Sequence, residues 1–136
     1  TTGTNNTLIG GLAGDAITSA DFNTALGYGA LSTDTQGERS VAVGYHALVS
    51  QNLTTASQAN NTAVGFQAGN GITTGVQNTL IGADAGVSLQ DADFNVAIGY
   101  QALALDTLGS RSIAIGYNAL LQQNFTTASN ALNVRF

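Results

Sequence analysis

The chain repeats itself about every seventeen residues, and this period limits the possible folds more than any other feature. The segments are NTLIG at 6–10, NTALG at 23–27, SVAVG at 40–44, NTAVG at 61–65, NTLIG at 78–82, NVAIG at 95–99 and SIAIG at 112–116. Their closing glycines, Gly10, Gly27, Gly44, Gly65, Gly82, Gly99 and Gly116, lie 17, 17, 21, 17, 17 and 17 residues apart. The long step contains QNLTTASQ (51–58), which returns 72 positions later as QNFTTASN (123–130). Residues 6–61 therefore align with 78–133 without a gap, and residues 1–136 read as one repeat domain with super-repeats 6–77 and 78–136.

Each column of the repeat carries its own chemistry. Four residues before the glycine stands Asn or Ser, and one before it Ile, Leu or Val. Three residues after it is always alanine, from Ala13 to Ala119. The next residue after the glycine is aromatic in Tyr28, Tyr45, Phe66, Tyr100 and Tyr117, with Gly11 and Ala83 as exceptions. A segment such as Thr62-Ala63-Val64 alternates with period two and is rich in β-branched residues, which marks a short strand. Seventeen residues are too few for a strand, a helix and two loops. They suit one coil of a parallel β-solenoid, and seven coils at a strand spacing of about 4.8 Å give a rod on the order of 34 Å long. Stacked Asn or Ser side chains are expected to bond one another or the turn backbone. The glycines are expected at positive φ or at a close backbone approach. The four additional residues in the 21-residue step are expected to leave the stack as a loop.

The strand points toward self-association. Positions −3 and −1 from the glycine face one way and carry Thr, Val, Ile or Leu, while position −2 faces the other way and carries Ala or Leu. A strand that is apolar on both faces is covered on both, and further copies of the same chain are the simplest cover for the outer one. Residues 1–5 align with 73–77 and 133–136 with 61–64, so the chain is expected to be a segment of a longer fibre or a unit that stacks end to end.

Composition removes other classes. There is no cysteine, so disulfides, thiolate metal sites and a Cys nucleophile are excluded. A net charge of −5, with three arginines and no lysine, argues against nucleic acid as a partner. No apolar run approaches the length of a membrane span.

The motif of SVAVGYHAL (40–48) and SIAIGYNAL (112–120) resembles the head repeat of trimeric autotransporter adhesins. NTAVGFQAG and NVAIGYQAL, with connectors such as Thr73-Thr74-Gly75, are similar to repeats of viral and phage tail-fibre proteins. The resemblance implies a left-handed parallel β-roll in a homotrimer, a place on a cell surface or virion tail fibre, and a structural or attachment role without a catalytic residue or cofactor.

Individual residues add little chemistry of their own. His46 is the one histidine and reads as a surface residue without a catalytic partner. Asp84, Asp91 and Asp93, and the stretch Gly10–Asp15, fall short of the six or so oxygens of a calcium site and read as turns. Asp21 and Asp93 both precede Phe-Asn, which suggests a shared turn role. Asn5, Asn52, Asn60 and Asn124 open glycosylation-type triplets that an Asn- and Thr-rich repeat produces by chance. Candidate contacts to a glycan or protein receptor are the two inserts, Asn52, Leu53, Thr54, Thr55 and Asn124, Phe125, Thr126, Thr127, together with Tyr45 and Tyr117. Two other readings compete with the fibre. An ice-binding solenoid would need an unbroken Thr ladder, and Val41, Val96 and Ile113 break the one at −3. A self-assembling extracellular filament subunit would follow from stacking of the ends.

Overall fold

The computed structural model describes residues 2–130 and 132–136. Thr1, the first residue of the 1–5 alignment, and Ala131 lie outside the described residues. Eight short strands stack in parallel into one sheet: β1 (Thr7–Ile9), β2 (Thr24–Leu26), β4 (Val41–Val43), β6 (Thr62–Val64), β7 (Thr79–Ile81), β8 (Val96–Ile98), β10 (Ile113–Ile115) and β12 (Val134–Arg135). Two further pairs join β3 (Gly37–Glu38) to β5 (Ser57–Gln58), and β9 (Gly109–Ser110) to β11 (Ser129–Asn130). The all-β parallel solenoid expected from the repeat is thus present, with one rung more than its seven glycine-closed coils. The register keeps equivalent residues in line, as in Ala25 beside Ala42 and Ala63 beside Leu80. The described residues contain no helix, so none is long and apolar enough to cross a membrane.

The strand alternation sorts the side chains. Position −2 points into the coil, where Ala25, Ala42, Ala63, Leu80, Ala97 and Ala114 are buried. The alanines at +3 meet them from the next side of the coil, and Ala30, Ala47, Ala68, Ala85 and Ala102 have no exposed surface. Small residues are required here because the two walls of a short coil approach closely.

Positions +4 and +7 share the remaining volume reciprocally. Where +4 is Gly14, Gly69 or Gly86, +7 is Ile17, Ile72 or Leu89. Where +4 is Leu31, Leu48, Leu103 or Leu120, +7 is Asp34, Gln51, Asp106 or Gln123. A Cβ on Gly69 would stand 2.7 Å from Leu80 Cδ1 and 3.0 Å from Leu48 Cδ2, so only glycine fits beneath those leucines. The leucines at +4 nevertheless occupy left-handed backbone, with φ of 54° at Leu31 and 51° at Leu48. That conformation costs about 1–2 kcal/mol, and burying the whole side chain returns about 1.5–3 kcal/mol.

Polar residues run through the interior as a spine. Asn61 Oδ1 accepts the backbone N–H of Asn78 at 2.9 Å, and Asn61 Nδ2 donates to the carbonyl of Gly75 at 2.8 Å. The same two bonds recur from Asn78 to Asn95 and Ala92, and from Asn95 to Ser112 and Gly109. The column thus bonds mainly to backbone, and among these residues a bond between two side-chain amides occurs only from Asn78 Nδ2 to Asn61 Oδ1, at 3.2 Å. Where the column holds serine, an interior glutamine takes over the bridging. Gln51 Nε2 donates to Ser40 Oγ at 3.1 Å and to Asp34 Oδ2, while Gln51 Oε1 accepts from Asn61 Nδ2 at 2.8 Å. Asp34 Oδ1 also accepts the N–H groups of Gly37 at 2.9 Å and Leu53 at 3.2 Å, so this buried carboxylate is surrounded by donors. Asp106, Gln123, Ser112 and Asn133 repeat the arrangement.

The glycine column serves both expected purposes at once. Gly82 has φ of +131°, and a Cβ on it would lie 2.5 Å from the carbonyl oxygen of Gly99 in the next coil.

Candidate interaction surface

The outer face of the eight-stranded sheet is the main feature of the surface. With the −2 side chains turned inward, positions −3 and −1 must face outward. Ile9, Leu26, Ile81 and Ile115 are exposed, and Val43, Val64 and Ile98 are half-buried. A continuous aliphatic strip therefore runs the length of one side. The outward Thr7, Thr24, Thr62 and Thr79 share this face with Val41, Val96 and Ile113.

At one edge of the strip, just past each glycine, aromatic rings form a ladder. Tyr28 and Tyr45 have centroids 5.8 Å apart and planes 13° apart. Tyr45 and Phe66 are at 5.3 Å and 8°, and Tyr100 and Tyr117 at 5.5 Å and 17°. The rings stack face to face from rung to rung along the solenoid. His46 lies against this ladder, with its ring 4.0 Å from that of Tyr45. It is half-buried over Gly29.

The other edge of the strip is the corner two residues before each strand of this sheet from β2 on (+12 in a seventeen-residue coil, +16 in a long one), which holds Phe22, Arg39, Asn60, Gln77, Phe94, Arg111 and Leu132. All of these have positive φ, for example 61° at Phe22 and 60° at Phe94. The Arg39 guanidinium sits 5.9 Å from the ring centre of Phe22, and that of Arg111 sits 5.6 Å from Phe94. Sequence reading did not single out these four residues. The signal was there: each Phe–Arg pair recurs 72 positions on.

The inserts leave the stack less than expected. Asn52 stays in it, donating its N–H to the Thr73 carbonyl at 2.9 Å and accepting from Thr35 Oγ1 at 3.2 Å. Leu53 is 7% exposed and so offers no contact surface, a correction to its place among the receptor candidates; its side chain fills the coil interior. Phe125, its equivalent, is half-buried. Thr54, Thr55, Thr126 and Thr127 are exposed, as are Asn124, Tyr45 and Tyr117. Ser57–Gln58 and Ser129–Asn130 return to strand pairing, so each excursion is confined to about three residues, 54–56 and 126–128.

The carboxylates at the turns are occupied with backbone. Asp21 Oδ1 accepts the N–H of Thr4 at 2.5 Å, and Asp93 Oδ1 accepts that of Val76 at 2.7 Å. Asp91 Oδ1 accepts from Thr74 Oγ1 at 3.0 Å. Among the described residues, no three His, Asp or Glu side chains are grouped so as to hold a metal ion. Concavities at the two ends of the stack expose the interiors of the first and last coils, near Ile17 and Leu120.

No curated protein and no solved structure matches the chain. Residues 24–47 and 96–119 both match the family model of the YadA head domain repeat. The matched stretches run from β2 past β4 and from β8 past β10, 72 residues apart. Each half of the chain thus contains one stretch similar to the YadA head domain repeat.

Proposed function

We propose that this chain is a structural and attachment segment: a β-solenoid that assembles as a homotrimer and projects or supports receptor binding at a cell surface or on a virion tail fibre. One observation carries the reading. The outer face of the sheet carries an aliphatic strip, Ile9, Leu26, Val43, Val64, Ile81, Ile98 and Ile115, and the described residues leave it exposed or half-buried. The head-type repeats support the adhesin form of the reading over the tail-fibre form. The role is mechanical and adhesive rather than enzymatic, and no cofactor enters it. Exposed Asn52, Thr54, Thr55, Asn124, Thr126 and Thr127, with Tyr45 and Tyr117, are the contacts offered to a glycan or protein receptor.

Electrophoresis in detergent, with and without boiling, tests the assembly. The chain is 13.7 kDa, so three copies give 3 × 13.7, about 41 kDa. An unboiled band at the three-chain position that collapses on boiling is expected. A single-chain band in the unboiled sample, with a single-chain mass in a native gel, overturns the proposal.

A further inference from the structure

The two edges of the apolar strip match rung by rung. Phe22 stands two residues before β2, and Tyr28 two residues after it. Arg39 and Tyr45 flank β4 in the same way. The pairs recur 72 positions on, as Phe94 with Tyr100 about β8 and Arg111 with Tyr117 about β10. These rungs hold all four tyrosines of the chain. The other three rungs that have both corners carry Asn5 with Gly11, Asn60 with Phe66 and Gln77 with Ala83. Tyrosine thus stands on one edge only where phenylalanine or arginine stands on the other. Between the two halves of the chain the Phe–Tyr and Arg–Tyr rungs are unaltered, whereas Asn5 and Gly11 become Gln77 and Ala83.

Within a single chain this match has no packing reason. The two corners of a rung lie on opposite sides of the strand, separated by roughly 15–20 Å of near-extended backbone. Contacts at each edge run along the stack instead. Arg39 covers Phe22 from the next rung, and Tyr45 stacks on Tyr28 from that same rung. Both edges remain open to solvent: Phe22 is 51% exposed and Tyr28 50%. The corresponding Phe94 and Tyr100 are exposed too, as are Arg39, Tyr45, Arg111 and Tyr117.

Cyclic symmetry about an axis parallel to the solenoid supplies the missing relation. It sets the leading corner of each rung beside the trailing corner of the same rung in the next copy. We infer that these corners form the seam between copies: Phe22 of one copy packs on Tyr28 of its neighbour and Arg39 on Tyr45, and the second super-repeat makes the same two contacts. The inference rests on the homotrimer reading and specifies its seam. The chemistry of the two edges is complementary. A tyrosine ring packs edge or face against phenylalanine and offers its negative face to a guanidinium. Two of the chain's three arginines stand at this corner, each on a rung with a tyrosine. Both members of every pair are carried by this one chain at one height, which fits a second copy rather than an unrelated partner. A copy turned end for end would reverse the order of the rungs and lose the match. Tyr45 and Tyr117 are then taken up by the neighbouring copy, and receptor contact is left to the insert residues.

The absence of cysteine makes the test direct. Gln77 and Ala83 share a rung, and replacing them removes neither a ring nor a guanidinium. The full chain carrying Q77C and A83C, treated with a short bis-maleimide, is expected to give covalent two- and three-chain bands. Either single variant should stay unlinked. So should N5C with A83C, whose corners are four rungs apart, roughly 19 Å along the stack. A three-chain mass in solution without Q77C–A83C linkage, or with equal linkage of N5C–A83C, overturns this seam and leaves the trimer standing. A single-chain mass overturns both. A double-mutant cycle reads the contact without cysteine. Arg39 and Tyr45 of one chain are too far apart to couple, so their effects overlap only across a seam. R39A and Y45A are each expected to lower the melting temperature, and the double variant to fall short of the summed loss by roughly 3 °C. R39A with Y117A, four rungs apart, should be additive. Additivity in both pairs, in a chain of three-chain mass, means that Arg39 and Tyr45 do not meet, and the inference fails.

Discussion

Asn61 and Asn78, seventeen residues apart, are joined in the coil interior by two bonds to one oxygen. Asn61 Oδ1 accepts from the backbone N–H of Asn78 at 2.9 Å and from its Nδ2 at 3.2 Å. Each of these asparagines ties its own coil to the next, so the spine fixes the register that the similar strands would leave free. Replacing Asn78 by Ala strips a partner from the Asn95 N–H and the Ala92 carbonyl, both inside the coil. At about 1–3 kcal/mol for each unsatisfied group, the loss is near 3 kcal/mol. Thermal unfolding followed by circular dichroism should show a midpoint lower by about 10 °C.

The interior glutamines should be as sensitive as the asparagines. Gln51→Leu keeps the volume but leaves the buried Asp34 carboxylate without its side-chain donor and Asn61 Nδ2 without one of its two acceptors. A loss of about 3 kcal/mol is expected in urea unfolding. Gln123→Leu is expected to cost less, because Gln123 and its partners are only partly buried.

The core reciprocity predicts strong coupling at close quarters. Gly69→Leu drives a side chain into Leu80 and Leu48 and should cost more than about 3 kcal/mol. Ile72→Ala in the same coil should cost about 2–4 kcal/mol through the cavity it leaves. Together they should cost less than the sum, because the new leucine occupies part of the space that Ile72 vacated. Equal additivity in a double-mutant cycle would show that +4 and +7 do not share one volume.

At six of the seven strand ends, all but Gly116, a Cβ on the glycine would collide with the backbone of the next coil, and Gly82 shows it clearly. Gly82→Ala combines φ of +131° with a Cβ only 2.5 Å from the Gly99 carbonyl oxygen. Loss of cooperative folding above room temperature is expected, measured by the disappearance of a single thermal transition.

The coil itself was legible in the sequence because its determinants repeat. The seventeen-residue step appears five times, and the period-two strand, the Asn-or-Ser column and the Gly column seven times each, and the structure uses them as the pattern suggests. Features that reside in one or two coils were harder to read. Asp34 and Gln51 look like ordinary turn residues until the +4 leucine is seen to have left them the interior. Leu53 seemed to belong to a loop because four residues are inserted after Gly44, yet the insertion begins only after that side chain has entered the core. The Phe22–Arg39 and Phe94–Arg111 pairs escaped notice for a related reason. Left-handed backbone at +12 is adopted there by Phe and Arg, residue types that carry no such signal. Reciprocity between columns, rather than any column alone, carried that information.

The central claim is that the outer face of the sheet is a seam between copies, and the absolute mass of the native chain in solution tests it most directly. Light scattering at two concentrations should give three chains, 3 × 13.7 or about 41 kDa, at both. A mass of one chain, 13.7 kDa, at both concentrations would leave the Ile, Leu and Val strip open to water and contradict the account.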